Sequence, residues 1–574
     1  MTALIVGAAL AACTAQSLPP VGPGSVPVSS PIARPPAREM VLGVDRLVGG
    51  FNPHTLADLT PVSGAVAGLL LPSAFHQTPA GQWVVDDTLL NSAEVTNTAP
   101  FTVTYRIRRN AQWSDITPIA AEDFGYLAEQ MRTQPGVLDS AGYQLIDQVV
   151  SRDGGKTAEV VFHRPYAGWR TLFRHLLPAH LLKDAPGGWS KGLDAGLPVS
   201  GGPFAMVSVD PSRGEMLLVR NDRYWDAPAQ LDRILFRQGS DAALADALRT
   251  GGVQAALFGR PNAITESLLR AVELGETSLV VPQPVLASVL LRPGSQVLDD
   301  QRVRTAVAAV LDRPALIATG VASGPSAALR ADSEVLAPSS SGYQATAPAG
   351  GVPVVPDPDT VRRSLTDAGY TRGPAGWERV GRPLRLVVVA PADREPYGTL
   401  AARVVDQLRT AGIEAQLREV DPDELFGTML GPQPRINAVS LRRGTAEAAN
   451  PQADIPSADI VVLPQPVAGH PATQLASWYG CPLVVPARLA PAPPNPAGLC
   501  DLTLQPLIER ALTQDDPGGT VAPTVEAALW QRAVTIPLYQ QVSLLVTTSQ
   551  LHDTAPGTAL EGPLDGAARW QLRW

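Results

Sequence analysis

The residues best suited to chemistry in this sequence are its three cysteines, Cys13, Cys481 and Cys500. Cys13 follows Leu10-Ala11-Ala12. Small and apolar residues before a cysteine have the form that a lipoprotein signal peptidase reads, the thiol then taking a diacylglycerol. The other reading of Met1 to Ala12 is a short secretory signal or an ordinary buried helix. No Lys or Arg precedes the apolar run, although a signal peptide carries one, so a basic segment is expected upstream of Met1. Cys481 and Cys500 bracket CPLVVPARLAPAPPNPAGLC, a proline-laden stretch with little means of packing itself. A disulfide closing it would contribute about 3 kcal/mol in the chain-entropy model and needs an oxidising compartment. Two unpaired buried thiols are the alternative. The seven histidines, His54, His76, His163, His175, His180, His470 and His552, are scattered. HExxH, paired CxxC, a Walker loop and GxSxG are all missing. The sequence therefore disfavours a hydrolase, and no metal or cofactor is expected.

The chain has 574 residues, 45% hydrophobic and 17% charged, enough to bury large cores and to form two lobes. Its net charge is −9, its basic residues are nearly all Arg, and the only lysines are Lys156, Lys183 and Lys191. An acidic balance without a basic stripe excludes nucleic acid as the expected partner. The N-terminal apolar run falls short of the roughly 20 residues that span a bilayer, so acylated Cys13 is expected to anchor the chain to the outer face of the cell membrane. Residues 14–39, rich in Pro, Ser and Gly, would be the tether, reaching on the order of 80 Å at about 3.1 Å per residue.

Downstream lie the elements that would position a site. Val41 to Asp45 reads as a short strand, and Gly49 to His54 as a loop after it. Val62 to Leu71 is apolar on most faces and reads as a buried helix. In FTVTYRIRRNAQWSDITPIAAEDFGYLAEQM, Phe101 to Met131, the residues Thr102, Thr104 and Arg106 alternate with Val103, Tyr105 and Ile107 as in a half-buried strand. Trp113 sits within a turn. Pro118 leads into a helix with Glu122 and Asp123 in its first turn and Phe124, Leu127 and Met131 on one face. Val297 to Ile317 is a helix with Val303, Val307, Val310 and Leu311 inward and Arg302 and Arg304 outward. Gly324 to Asp357 reads as a surface excursion. Leu384 to Ala390, Leu400 to Thr410 and Ile413 to Leu417 make a βαβ unit, with Gly412 stopping its helix.

The Phe101–Met131 string also resembles the signature of the extracellular solute-binding proteins of the ABC peptide/oligopeptide importer family, through Tyr105, Arg108, Trp113, Ser114, Asp115, Thr117, Pro118, Ala121 and Asp123. The family usually has Gly where this chain has Ile116, so the turn is expected to differ there, since Ile tolerates positive φ poorly. Further matches follow in family order, among them Pro178-Ala179-His180, LPVSGGPF from Leu197, VRNDRYW from Val219 and the helix from Val297. They cover Met40 to Thr548. Within this, DLTPV from Asp58, LLLPSAF from Leu69, TQPGVLDSAGY from Thr133 and SWYGC from Ser477 resemble an actinobacterial lipoprotein branch associated with the biosynthesis of phosphatidylinositol mannosides and lipoarabinomannan.

The resemblance implies an α/β chain with the two-lobed periplasmic-binding-protein-like fold of the peptide-binding type, mixed sheets and an interlobe cleft. Residues 1–13 would be signal and lipobox, 14–39 tether, 40–280 the first part of lobe I, 281–504 lobe II and 505–574 the return to lobe I. It implies a non-catalytic receptor, its ligand a glycolipid or a peptide, and its partner an ABC permease or a membrane mannosyltransferase. Peptide-binding members pair an Asp of lobe II with the peptide ammonium. The equivalent stretch here, Val461 to Cys481, has no Asp or Glu, although Asp454 or Asp459 just upstream could substitute. Burying an unpaired ammonium costs several kcal/mol, which favours a different ligand. Trp478 and Tyr479 are the expected ligand contacts, stacking on a sugar or covering an acyl chain; core packing beside Cys481 is the alternative. Asp45, Asn52, His54 and Trp113 are secondary candidates through their family positions.

Overall fold

Two long antiparallel strands, Thr277–Leu291 and Thr535–Thr547, form the axis of a ten-stranded mixed sheet. The computed structural model describes residues 38–47, 50–271, 277–347, 355–431, 458–467, 469–481, 495–513, 521–555 and 557–573. Cys13, the tether up to residue 37, Gly49 and Asp454 lie outside them. On one side of the long pair the sheet continues through Ala255–Phe258, Glu39–Val44, Arg233–Gln238, Glu215–Arg220 and Phe204–Asp210; on the other it continues through Ile460–Pro466, Arg385–Pro391 and Glu414–Val420. Strand Thr535–Thr547 is buried at nearly every position, as expected of a central strand covered on both faces. The register of the long pair shifts between Pro282 and Leu286. Pro282 and Pro284 have no N–H to donate, which confines such residues to bulges inside a sheet.

Separate cores flank this axis. One gathers most of the buried apolar residues between Met40 and Val281 with Leu545, Leu551, Leu564 and Trp570, while Leu56 and Ala57 of that span reach into a second-half core. Two others pack on strands Arg385–Pro391 and Ile460–Pro466 and on the helices around them. We refer to these as the first and second halves. The second half contains the βαβ unit: strand Arg385–Pro391, helix Tyr397–Thr410 and strand Glu414–Val420, the strands parallel from Arg385 opposite Glu414 to Pro391 opposite Val420. Leu400, Val404, Val405 and Leu408 are all buried, and Gly412 turns the chain at φ 77°. Cys481 and Cys500 are joined by a disulfide, their Cα atoms 4.5 Å apart. Among the described residues, no helix is long and apolar enough to cross a membrane.

Several readings change. Strand Phe101–Ile107 buries Thr102 and Thr104 as well as Val103 and Tyr105, because it lies inside a four-stranded antiparallel sheet between Leu90–Thr98 and Thr157–Phe162. The turn after it keeps the glycine-like geometry: Ile116 stands at φ 72°. Its N–H donates to Trp113 O at 2.9 Å, while Asp115 Oδ1 accepts from Thr117 N at 3.0 Å. These bonds hold a β-branched residue in a conformation that suits Gly. The helix expected from Val297 is two, Gln301–Val310 and Arg313–Val321, and Arg304 points inward. Its guanidinium donates to the carbonyls of Leu298 at 2.6 Å, Asp299 at 2.9 Å and Arg532 at 3.0 Å, so burial is compensated by hydrogen bonds. The expected surface excursion is buried at Ala331 and from Ser333 to Val335, because Glu526 Oε2 accepts from Ser333 Oγ at 2.9 Å and Glu334 N at 2.7 Å and pins the stretch inside.

Candidate functional site

The parallel strands Glu39–Val44, Arg233–Gln238 and Ala255–Phe258 all end at one place. Just past their carboxyl ends stand Asp45, Asp241 and Gly259. In open α/β sheets the crevice beyond the carboxyl ends of parallel strands is where ligands bind. A cavity of about 430 Å³ lies there, within the size range of small-molecule sites. Its first-half walls are Asp45, Arg46, the start of helix Pro61–Leu70, Asp241, Gly259, Arg260 and the 559–563 loop. Its floor is the proline-interrupted stretch Val281–Val285 with Gln541 and Ser543 from the partner strand. The second half contributes Arg394, Glu395, Tyr397 and Pro464.

The polar groups are fixed from behind. Asp45 Oδ2 accepts from Gly259 N at 2.8 Å. Burial raises the Asp45 carboxyl above its usual range, and the neighbouring Asp241 adds to the effect. Asp241 in turn accepts from the Thr265 hydroxyl. Gln541 Nε2 donates to the Tyr397 hydroxyl at 2.8 Å, and Gln283 Nε2 to Gly259 O at 2.8 Å. Helix Pro61–Leu70 begins at a capping box between Thr60 and Ser63, which places its first turn at the cavity wall. The lining thus alternates carboxylates, guanidiniums and amides with Pro, Val, Leu and Ala. Such a surface suits a polar ligand dense in hydroxyl, amide or ammonium groups. Among the described residues no cluster of His, Cys, Asp or Glu is arranged to hold a metal.

Of the six ligand-contact candidates, Asp45 lines this cavity. Trp478 and Tyr479 end helix Pro471–Tyr479, 3% and 1% exposed, within a second-half core. The Tyr479 hydroxyl donates to Thr535 Oγ1 at 2.9 Å, so the pair packs rather than faces the cavity. Asn52 and His54 brace a buried loop: Asn52 Nδ2 donates to Trp189 O at 3.0 Å, and His54 Nε2 to His175 O at 2.9 Å. Desolvation lowers the His54 imidazole to about 4. Trp113 is fully buried, its Nε1 donating to Asp123 Oδ2 at 3.3 Å. That carboxylate also accepts from Ala120 N and Ala179 N, at 3.0 and 2.9 Å, so the signature turn is a structural joint. Asp459 is likewise committed, accepting from the Ser295 hydroxyl and from Val387 N at 2.7 Å.

Arg46, Asp241, Arg260, Arg394, Glu395 and Gln541 line the cavity without having been singled out in the sequence. Most share one signal: a charged residue a few positions past the end of a parallel strand.

The model of "Bacterial extracellular solute-binding proteins, family 5 Middle" matches residues 88–450. The chain is 36% identical over 616 aligned residues to the probable monoacyl phosphatidylinositol tetramannoside-binding protein LpqW of Mycobacterium tuberculosis, covering 98% of this chain and 95% of that one. It is 32% identical over 328 residues to the oligopeptide-binding protein OppA of the same organism, 55% of this chain and 53% of that one. Its fold is similar to that of the oligopeptide-binding protein AppA from Bacillus subtilis in complex with a nonapeptide, with a TM-score of 0.71 at 14% identity over 94% of this chain and 100% of that one.

Proposed function

The chain belongs to the bacterial extracellular solute-binding proteins of family 5, and from that premise we propose that it captures the sugar-bearing head of a phosphatidylinositol mannoside-type glycolipid in the 430 Å³ cavity. In this reading it serves or regulates the envelope biosynthesis of such lipids, handing its ligand to a membrane mannosyltransferase, and is held at the membrane by acylated Cys13. The two halves act as lobes, 40–280 and 281–504; of 505–574, helices Gln505–Thr513 and Val521–Arg532 stay packed in the second-half core and the chain after them returns to the first. The observation that carries the reading is the 36% identity, along almost the whole of both chains, to a relative named for a tetramannoside lipid. The lining supports it: side-chain amides, carboxylates and guanidiniums on apolar walls suit vicinal hydroxyls. A volume in the lower half of the usual range admits about two sugar rings of such a head and leaves its remaining rings and the acyl chains outside.

One observation favours a second reading, an oligopeptide receptor for an ABC permease. Asp45 and Asp241 stand together in the cavity, and burial presses on the charge of Asp45; a peptide ammonium would neutralise it. Calorimetric titration with monoacyl phosphatidylinositol tetramannoside and with a mixed pentapeptide set separates the two. The glycolipid is expected to bind, and Asp45→Asn to keep its affinity within about threefold, since an amide still serves hydroxyls. Peptide binding that falls tenfold or more in Asp45→Asn, with no glycolipid binding, would replace the first reading by the second.

A further inference from the structure

Three consecutive residues of one turn, Asp393, Arg394 and Glu395, each reach from the second half to the first. The turn joins strand Arg385–Pro391 to helix Tyr397–Thr410, with Asp393 at φ 54°. Arg46 Nη1 donates to Asp393 O. Arg394 donates through Nη1 to Leu59 O at 3.1 Å and through Nη2 to Ala57 O. Glu395 Oε2 stands 3.6 Å from Arg260 Nη1. Arg46, Leu59, Arg260, Arg394 and Glu395 are also cavity wall. The three contacts therefore close one side of the chamber.

These contacts differ in weight. The Arg260–Glu395 pair is about half exposed on both sides, so water screens its attraction and it weighs less than a dry pair, although two like charges set there would repel. Arg394 is different. Its guanidinium is largely desolvated, and its only hydrogen-bond acceptors among the described residues are the two carbonyls of the opposite half. Separating the halves strips it of both. A charged donor bonded to carbonyls in a partly dry site is worth more than a neutral pair. The carbonyls belong to the loop that leads into helix Pro61–Leu70, so the grip falls on the element that frames the cavity.

We propose that the Asp393–Glu395 turn is the clasp on the cavity side of the cleft: beside the Asp139–Gln474 and Tyr166–Thr473 bonds that join the halves elsewhere, it holds them together at the chamber and walls it off, so that what enters must be no larger than the chamber. This rests on the reading of the halves as lobes around a ligand, but not on which ligand they hold. The clasp adds a protein-encoded share to the closing equilibrium, which a ligand then biases further.

Ligand-free protein is the material for the test. Hydrogen exchange and small-angle scattering are compared for the wild type, Arg394→Ala, Arg260→Glu and the swapped double variant Arg260→Glu/Glu395→Arg. In Arg394→Ala, exchange at the Thr55–Leu59 amides is expected to rise about tenfold or more and the radius of gyration to increase, with exchange in helix Gln301–Val310 unchanged. Arg260→Glu is expected to raise exchange in Thr55–Leu59 a few-fold, and the double swap to restore it. If Arg394→Ala fails to fold, the Arg260–Glu395 exchange decides alone, because both side chains are half exposed. Wild-type exchange and scattering in Arg394→Ala, or a double swap that restores nothing, would overturn the clasp. A failure of the proposed ligand would leave these readings untouched.

Discussion

Asp139 couples the two halves through a single carboxyl. It precedes the short helix Ser140–Gln144 in a left-handed conformation, φ 46°, and accepts from Gln474 Nε2 of the second half. Desolvation raises its carboxyl to about 6. The sign follows from linkage. An acid whose folded-state pKa lies above its unfolded value gives stability that is fully present below about pH 4. That stability is lost as pH rises through about 6 and is level above that. The amount is on the order of 3 kcal/mol, from about two pK units at roughly 1.4 kcal/mol each. Asp139→Asn keeps an acceptor for Gln474 Nε2 and removes the titration. It is expected to be more stable than wild type at pH 7.5 by 1–3 kcal/mol on the order of that loss, and equal to it at pH 4. Urea midpoints at the two pH values measure this; a variant less stable at both would show that the ionised carboxylate is the favoured partner.

At the scale of elements, the turn Trp113–Pro118 shows what the sequence makes legible and what it hides. The strand before it and the helix after it follow from period-2 and period-3.6 patterns, as does the helix carrying Leu400, Val404 and Leu408. Each of these is decided by neighbours within one element. The backbone of Ile116 is not so decided. A β-branched residue reads as extended, yet Trp113 O and the Asp115 side chain fold the chain to φ 72° around it. Arg304 misleads in the same way, since the carbonyl of Arg532 that receives it belongs to a distant segment. The cavity is harder still, because Asp45, Asp241, Arg394 and Gln541 meet only through sheet topology. The turn itself yields a measurement. Left-handed backbone costs a residue with a Cβ roughly 1–2 kcal/mol, and glycine's greater unfolded freedom returns part of that. Ile116 is 60% exposed, so little packing is lost on removing it. Ile116→Gly is expected to raise stability by about 1 kcal/mol, read as a higher urea midpoint with an unchanged slope. A lower midpoint would mean that the exposed side chain contributes more than its conformation costs.

Across the whole molecule, two strands carry the connection. Thr277–Leu291 and Thr535–Thr547 run through both halves, and the cavity sits where prolines interrupt their pairing. Tyr397 and Arg394 line it from the second half and Asp45 and Gly259 from the first, so one chamber is walled by both halves. A ligand in it must touch both. Binding to the folded state alone adds about 2.7 kcal/mol when free ligand stands at a hundred times its dissociation constant. Because the walls come from two cores, that stabilisation is shared rather than local. With saturating monoacyl phosphatidylinositol tetramannoside, hydrogen exchange is expected to slow in the amides after Val44 and in those of Arg394–Leu400 together, the disulfide region near Cys500 serving as an unaffected reference. Slowing confined to one side would place the ligand on a single half, and the chamber between the cores would then not be the site that holds it.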